Sequence, residues 1–207
     1  MNNPCYPDGI RISVSLHMRR RIFIAINLPE DIKSKIAELQ RGFSDLPVRF
    51  TKKNSLHLTI HFIGHVTDEE MLNLCQVIRE LAQKYQPFVI NFDKLCYGPP
   101  GKPPRLIWIE GERSEQLFSL KVAIENSLIV GAKDPRFFNK AERQTSSLIP
   151  HITIARIRQM EWRKLLQKPI VEKDIDISIP VNSIEVMESD LKRSGAEYVV
   201  LESAVLG

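Results

Sequence analysis

His57-Leu58-Thr59-Ile60 returns 94 residues later as His151-Ile152-Thr153-Ile154. Each copy sits in a run of β-branched and large apolar residues, 55–63 and 148–157, whose alternation predicts a half-buried strand. Successive strand side chains project to opposite faces, so Leu56, Leu58, Ile60 and Phe62 are expected to face a core while His57, Thr59 and His61 face away. Ile152 and Ile154 oppose His151 and Thr153 in the same manner. With five histidines and five threonines in the chain, chance placement would give two His-x-Thr pairs about once in two hundred sequences. Two similar strands, each presenting an imidazole and a hydroxyl, point to an internal duplication and to two lobes facing one cleft.

The 207 residues suffice for one well-packed domain or two small lobes, and 43% apolar with 26% charged residues is ordinary globular composition. No apolar run approaches the roughly 18 residues that span a bilayer, and the start lacks a signal-peptide core, so a cytoplasmic protein with no membrane contact is expected. Cys5, Cys75 and Cys96 form no CxxC pair and read as reduced residues, the latter two in the core. A net charge of +4 suits a polyanionic partner without requiring one. Arg19-Arg20-Arg21 and Lys52-Lys53 can steer phosphate toward a cleft or simply solvate strand ends.

Residues 1–19, with early Pro4, Pro7 and Gly9, read as a loose extension, Met18 being a plausible original start; residues 20–207 read as a single domain. Strands are expected at 22–27, 48–50, 55–63, 88–95, 106–110, 148–157, 174–179, 183–189 and 197–205. A helix opens at Glu30-Asp31, with Ile32, Ile36, Leu39 and Phe43 as its buried stripe. A capping box at Thr67–Glu70 opens a second, burying Met71, Leu74, Ile78 and Leu81. Leu117, Leu120, Ile124 and Leu128 mark a third, and 161–167 a short fourth. The proline-rich stretch 97–104 and the polar stretch 131–147 read as loops. Strand pairs without regular βαβ alternation predict an α+β fold with antiparallel sheets.

Two facing imidazoles divide acid and base work near neutral pH, which suits in-line attack at phosphorus. Thr59 and Thr153 are neutral donors that can hold non-bridging phosphate oxygens. A solitary strand histidine is more often a satisfied or exposed residue; the duplication sets His57 and His151 apart from His17 and His65. His61 shares their expected face and is a possible cleft-lining residue. Zinc is the competing use of paired imidazoles, but no HExxH or cysteine pair supplies the further ligands, and no GxSxG elbow supports a serine hydrolase. Neither a metal nor a cofactor is expected.

The chain resembles the two-histidine phosphoesterases, specifically the RNA 2',3'-cyclic phosphodiesterases historically called 2'-5' RNA ligases. The resemblance runs from about Arg20 to the C-terminus. It is carried by Arg21-Ile22-Phe23-Ile24-Ala25-Ile26, the stretch from Leu56 to Gly64, Pro104-Arg105-Leu106-Ile107-Trp108-Ile109, Pro150-His151-Ile152-Thr153-Ile154-Ala155-Arg156, and Ser189-x-Leu191 with Gly195 and Tyr198. It implies a bilobal α+β fold, two antiparallel sheets flanked by helices around a central active-site cleft. It implies metal-independent hydrolysis of RNA-terminal 2',3'-cyclic phosphate to a 2'-phosphate, with ATP-independent 2'-5' ligation as the reverse of related chemistry. By the resemblance His57 and His151 are catalytic, and Thr59, Thr153 and Arg156 bind phosphate; His57 is taken as the acid and His151 as the base. Arg156 stands an odd five residues from His151, so a bulge or a strand end must intervene. The family's lysine-like residue after the first motif is His61 here. The expected partners are RNA or oligonucleotide 3' ends met by a monomer. Two other readings are a non-catalytic RNA- or nucleotide-binding module, and a phosphodiesterase for small cyclic nucleotides or 2'-5' oligoadenylate. Phe50, Tyr97 and Phe138 are candidates for stacking a base.

Overall fold

The computed structural model describes residues 19–131, 149–192 and 195–207. The expected extension therefore lies outside the described residues but for Arg19, as do Phe138 and nearly all of the expected polar loop. In chain order the elements are β1 (Arg20–Asn27), α1 (Glu30–Arg41), β2 (Val48–Phe50), a 3-10 turn (Lys53–Ser55), β3 (His57–Val66), α2 (Asp68–Ala82), β4 (Phe88–Gly98) and β5 (Leu106–Gly111). Then follow α3 (Glu115–Gly131), β6 (His151–Ile157), α4 (Gln159–Lys164), β7 (Lys173–Val181), β8 (Ser183–Lys192) and β9 (Gly195–Val205). Among the described residues, no helix is long and apolar enough to cross a membrane.

Local chemistry sets the helix starts. Thr67 accepts the backbone N–H of Glu70 while the Glu70 carboxylate accepts that of Thr67, the reciprocal capping box expected at α2. Helix α1 lacks a side-chain cap and relies on Glu30 and Asp31 in its first turn, where carboxylates meet the positive end of the dipole. Helix α2 ends at Ala82, five residues before Pro87, so the proline does not break it. Strand β4 runs on to Gly98 because Tyr97 and Gly98 still pair with Ile107 and Leu106, which moves two residues from the expected loop into the sheet.

All strand pairs are antiparallel, and the strands form one curled sheet in the order β7-β4-β5-β6-β3-β1-β8-β9, with β2 on β6. The two expected sheets are its halves, β7-β4-β5-β6 and β3-β1-β8-β9. They join through β3 and β6 at a single residue pair, Leu58 opposite Ile152. One sheet face carries the main core: Ile22, Ile24 and Ile26 of β1, Leu58 and Ile60 of β3, and Ile152 and Ile154 of β6, packed on helix residues such as Ile36, Ile78, Leu120 and Ile124. The opposite face has a small cluster of its own, Phe23, Ala25 and Met187 with Tyr198 packed beside them. That second cluster explains why β1 is buried on both faces and reads as a continuous apolar run rather than an alternating one.

Candidate active site

The two motif strands have the same burial pattern, residue for residue, over seven positions: half-buried, buried, half-buried, buried, buried, exposed, buried, for 57–63 and for 151–157. The doubled buried positions have a common cause. On β3, Thr59 pairs with Ala25 and His61 with Ile24, so Ile60 is an extra residue. On β6, Thr153 pairs with Trp108 and Ala155 with Ile107, so Ile154 is an extra residue. Each motif thus ends in a β-bulge that reverses which face the following side chains take. An antiparallel pair has a local two-fold axis, here through Leu58 and Ile152. It brings His57, Thr59, His151 and Thr153 together on the face away from the helices. Diagonal neighbours in such a ladder have Cβ atoms about 7–8 Å apart, a gap that one phosphate group fills.

Both rings are aimed alike. The Nδ1–H of His57 donates to the carbonyl of Ser55 at 2.8 Å, and that of His151 to the carbonyl of Ile149 at 3.1 Å. A carbonyl only accepts, so each neutral ring carries its hydrogen on Nδ1 and leaves Nε2 for chemistry. The Nε2 of His57 accepts from the Thr59 hydroxyl at 3.1 Å. Burial lowers both imidazoles below their ordinary value. His57 is brought to about 4 by desolvation, opposed by the Ser55 carbonyl, with the positive charges of His151, Lys33 and Arg156 pushing further down. His151 is lowered by desolvation and pulled back up by the Ile149 carbonyl and the Glu110 carboxylate.

Aromatic rings fix the imidazoles laterally. Phe23 lies 5.0 Å from the His57 ring centroid, and Tyr198 meets it edge-on at 4.8 Å. Trp108 stacks on His151 at 4.0 Å with planes 25° apart. The Trp108 indole in turn covers Gly98, where any Cβ would come within 2.2 Å of the ring. Gly98 is therefore part of the support for His151, a role hidden in sequence because Gly98-Pro99 reads as loop punctuation.

The bulge resolves the odd spacing of Arg156: with Ile154 extra, Arg156 is exposed on the face of His151 and Thr153. The same bulge on β3 overturns the expectation for His61. It turns to the helix face, is 7% exposed, and has its Nδ1 3.3 Å from the Glu125 carboxylate of α3. His61 does not line the cleft. Phe62 takes the place on the site face, 43% exposed with its ring 5.9 Å from Phe23. Counting five residues from each motif histidine would have found Phe62 as the counterpart of Arg156. Phe50 and Tyr97 also face the core side: Phe50 pairs with buried Ala155, and Tyr97 packs on Trp162 and donates to the Pro169 carbonyl. Lys33, only 8% exposed at the helix start, carries its charge toward His57; an α1 stripe of apolar residues gave no sign of it.

Residues 26–108 match the family model described as LigT-like phosphoesterase. The RNA 2',3'-cyclic phosphodiesterase of Methanocaldococcus jannaschii is 28% identical over 186 residues, covering 88% of this chain and 98% of that protein. The RNA 2',3'-cyclic phosphodiesterase of Aquifex aeolicus is 25% identical over 195 residues, covering 90% and 97%. In fold, a Thermus thermophilus protein superposes with a TM-score of 0.76 at 24% identity, covering 91% of this chain and 98% of that one. E. coli LigT, solved with 3'-AMP, gives 0.67 at 22% identity, covering 91% and 99%. The twin motif, the curled antiparallel sheet and these likenesses agree in one direction: the chain is similar to the LigT-like phosphoesterases in sequence and in fold.

Proposed function

We propose that this protein hydrolyses the 2',3'-cyclic phosphate at the 3' end of RNA to a 2'-phosphate, with His57 and His151 as its acid-base pair. The relatives in Methanocaldococcus, Aquifex and Methanothermobacter are each named RNA 2',3'-cyclic phosphodiesterase. The observation that carries the reading is the pairing of Leu58 with Ile152, which sets two equally oriented imidazoles on one face about a shared axis. One ring takes a proton from water as its oxygen attacks phosphorus. The other gives its proton to the ribose 3'-oxygen as the P–O3' bond breaks, leaving the phosphate on O2'. Thr59, Thr153 and Arg156 hold the non-bridging oxygens where charge builds up. The site's own groups cover attack, departure and charge, so the reading needs no metal or cofactor.

Both halves of the sheet act in it as one bilobal unit, and the reading takes the protein as a monomer. Cys75 and Cys96 are free and buried, in keeping with action in the reducing cytoplasm. The test is an oligonucleotide ending in a 2',3'-cyclic phosphate, incubated with the protein in EDTA. Accumulation of 2'-phosphate ends is expected; an unchanged cyclic terminus would overturn the reading. Supplying a 5'-hydroxyl oligonucleotide in the same assay reports whether 2'-5' joining accompanies hydrolysis.

A further inference from the structure

On strand β6 the site face continues past Thr153. Beyond the bulge it presents Arg156, and directly across the ladder on β2 stands a second arginine, Arg49, both of them exposed. Opposite residues in an antiparallel pair share a face and have Cβ atoms about 4.5–5.5 Å apart, and like charges placed so are destabilising. Neither guanidinium has an ion pair among the described residues, whereas Lys52 is held by Glu197 at 3.0 Å, Lys53 by Glu30, and Arg158 by Glu161 at 3.5 Å. The place of Arg49 is set firmly. Thr51 donates its N–H to the Ile154 carbonyl at 2.9 Å and its hydroxyl to the Thr153 carbonyl at 2.8 Å. The Gln40 side chain, 7% exposed near the end of α1, donates to the Thr51 and Ile154 carbonyls at 2.9 and 2.8 Å. Ile154 is the extra residue of the bulge, so these bonds tie β2, and Arg49 with it, to the strand that carries His151, Thr153 and Arg156.

We propose that Arg49 forms a second phosphate subsite, one that takes the phosphodiester on the 5' side of the terminal nucleotide. This deepens the hydrolytic reading and rests on it. A terminal 2',3'-cyclic phosphate occupies both ribose hydroxyls, so the next phosphate of the chain is the one on O5'. That group is a singly charged phosphodiester with two non-bridging oxygens, and a guanidinium meets two such oxygens through parallel N–H donors. With the cyclic phosphate on Thr59, Thr153 and Arg156, the exposed cation across the ladder from Arg156 is Arg49.

In the protein alone, two positive charges face each other without an acid between them, and a phosphate-bearing ligand removes that repulsion. A local rule broken in this way is expected at a functional position. The other lobe shows the contrast: at the place matching Arg156 stands Phe62, and across from it Phe23, a pair without charge. Both arginines are exposed, so Arg49 contributes a screened phosphate contact rather than a buried one. Its effect is read as a preference between substrates and as a salt dependence.

The experiment compares two dinucleotides that end in a 2',3'-cyclic phosphate, one with its natural internal phosphodiester and one with that link replaced by an uncharged methylphosphonate. Wild-type kcat/KM is expected to be about 5- to 10-fold higher for the charged dinucleotide. Arg49→Gln should erase that preference, with the fold retained and Tm unchanged or raised, and Arg49→Lys should keep part of it. A plot of log kcat/KM against log salt for the charged dinucleotide should be shallower in R49Q by about 0.7. Equal turnover of the two dinucleotides by the wild-type protein, or an equal loss on both in R49Q, would overturn the proposal. Failure of the hydrolytic reading looks different: neither dinucleotide is turned over. The subsite is then still read from binding, since the Kd values of the same two dinucleotides ending in a 2'-phosphate carry the comparison without turnover.

Discussion

The half of the molecule built around β3 and the half built around β6 share a strand, a bulge and a tautomer, yet they hold different chemistry beyond the bulge. After Ile60 the site face presents Phe62; after Ile154 it presents Arg156. Beside His57 stand Phe23, Tyr198 and the buried Lys33; beside His151 stand Trp108 and Glu110. In the proposed reaction the shared parts aim an imidazole at a phosphorus atom. In the same reaction the divergent parts give each lobe its own contacts to the substrate.

The largest effects should fall on the shared parts. Replacing His57 or His151 with alanine removes a proton-transfer partner, and kcat on a cyclic-phosphate oligonucleotide is expected to fall by about 10² to 10⁴ for either. Near-wild-type turnover in one of the two would break the equivalence. Next comes the support of the second half alone. In Gly98→Ala the new methyl meets the Trp108 ring, so the indole and the stacked His151 must shift. A displacement of about 1 Å costs up to 10² in rate, seen in kcat with the fold retained by circular dichroism. Unchanged kcat would show that Trp108 does not set the ring.

The divergence at the bulge predicts a smaller, one-sided effect. Arg156→Ala loses a charged contact to phosphate worth about 1.5–3 kcal/mol, so kcat/KM should drop roughly 10- to 150-fold. Phe62→Ala, at the matching position, should act on KM and vary with the base at the RNA end. Equal losses from both would mean that the lobes bind phosphate alike.

A further difference is read in stability. His57 is near 4 in the folded protein against an ordinary 6.5. Between those values the unfolded chain binds more protons, so folding stability rises with pH across that window and is lost as pH falls through it. The contribution is roughly 3 kcal/mol, checked by urea unfolding at pH 4 and pH 7. His57→Gln should flatten the profile; an identical slope in the variant would assign the effect elsewhere.

Much of this was legible in sequence because the governing signals are local. The strand alternation at 55–63 and 148–157, the Thr67–Glu70 capping box and the apolar stripe of α3 depend on neighbours within a few residues; the capping box and α3 stand where expected, and the two strands do so with shifted ends, at His57–Val66 and His151–Ile157. The repeated His-x-Thr likewise marked the site, since the duplicated strands carry their own geometry. What the sequence hid were features set by register. A bulge is the consequence of how β3 pairs with β1 and β6 with β5, so strict alternation assigned His61 to the wrong face and left Arg156 at an odd spacing. The partners of the rings, Trp108 over Gly98 and Glu110 across from His151, come from another strand and become neighbours only once the ladder is formed.

The central claim is that both imidazoles address one phosphorus. Titrating the protein with a nucleoside 2'-phosphate, the product class, while following the Nε2 resonances of His57 and His151 tests it directly. The account predicts that both signals move together along a single binding curve with one Kd; movement of only one ring, or two curves with separate affinities, would contradict it.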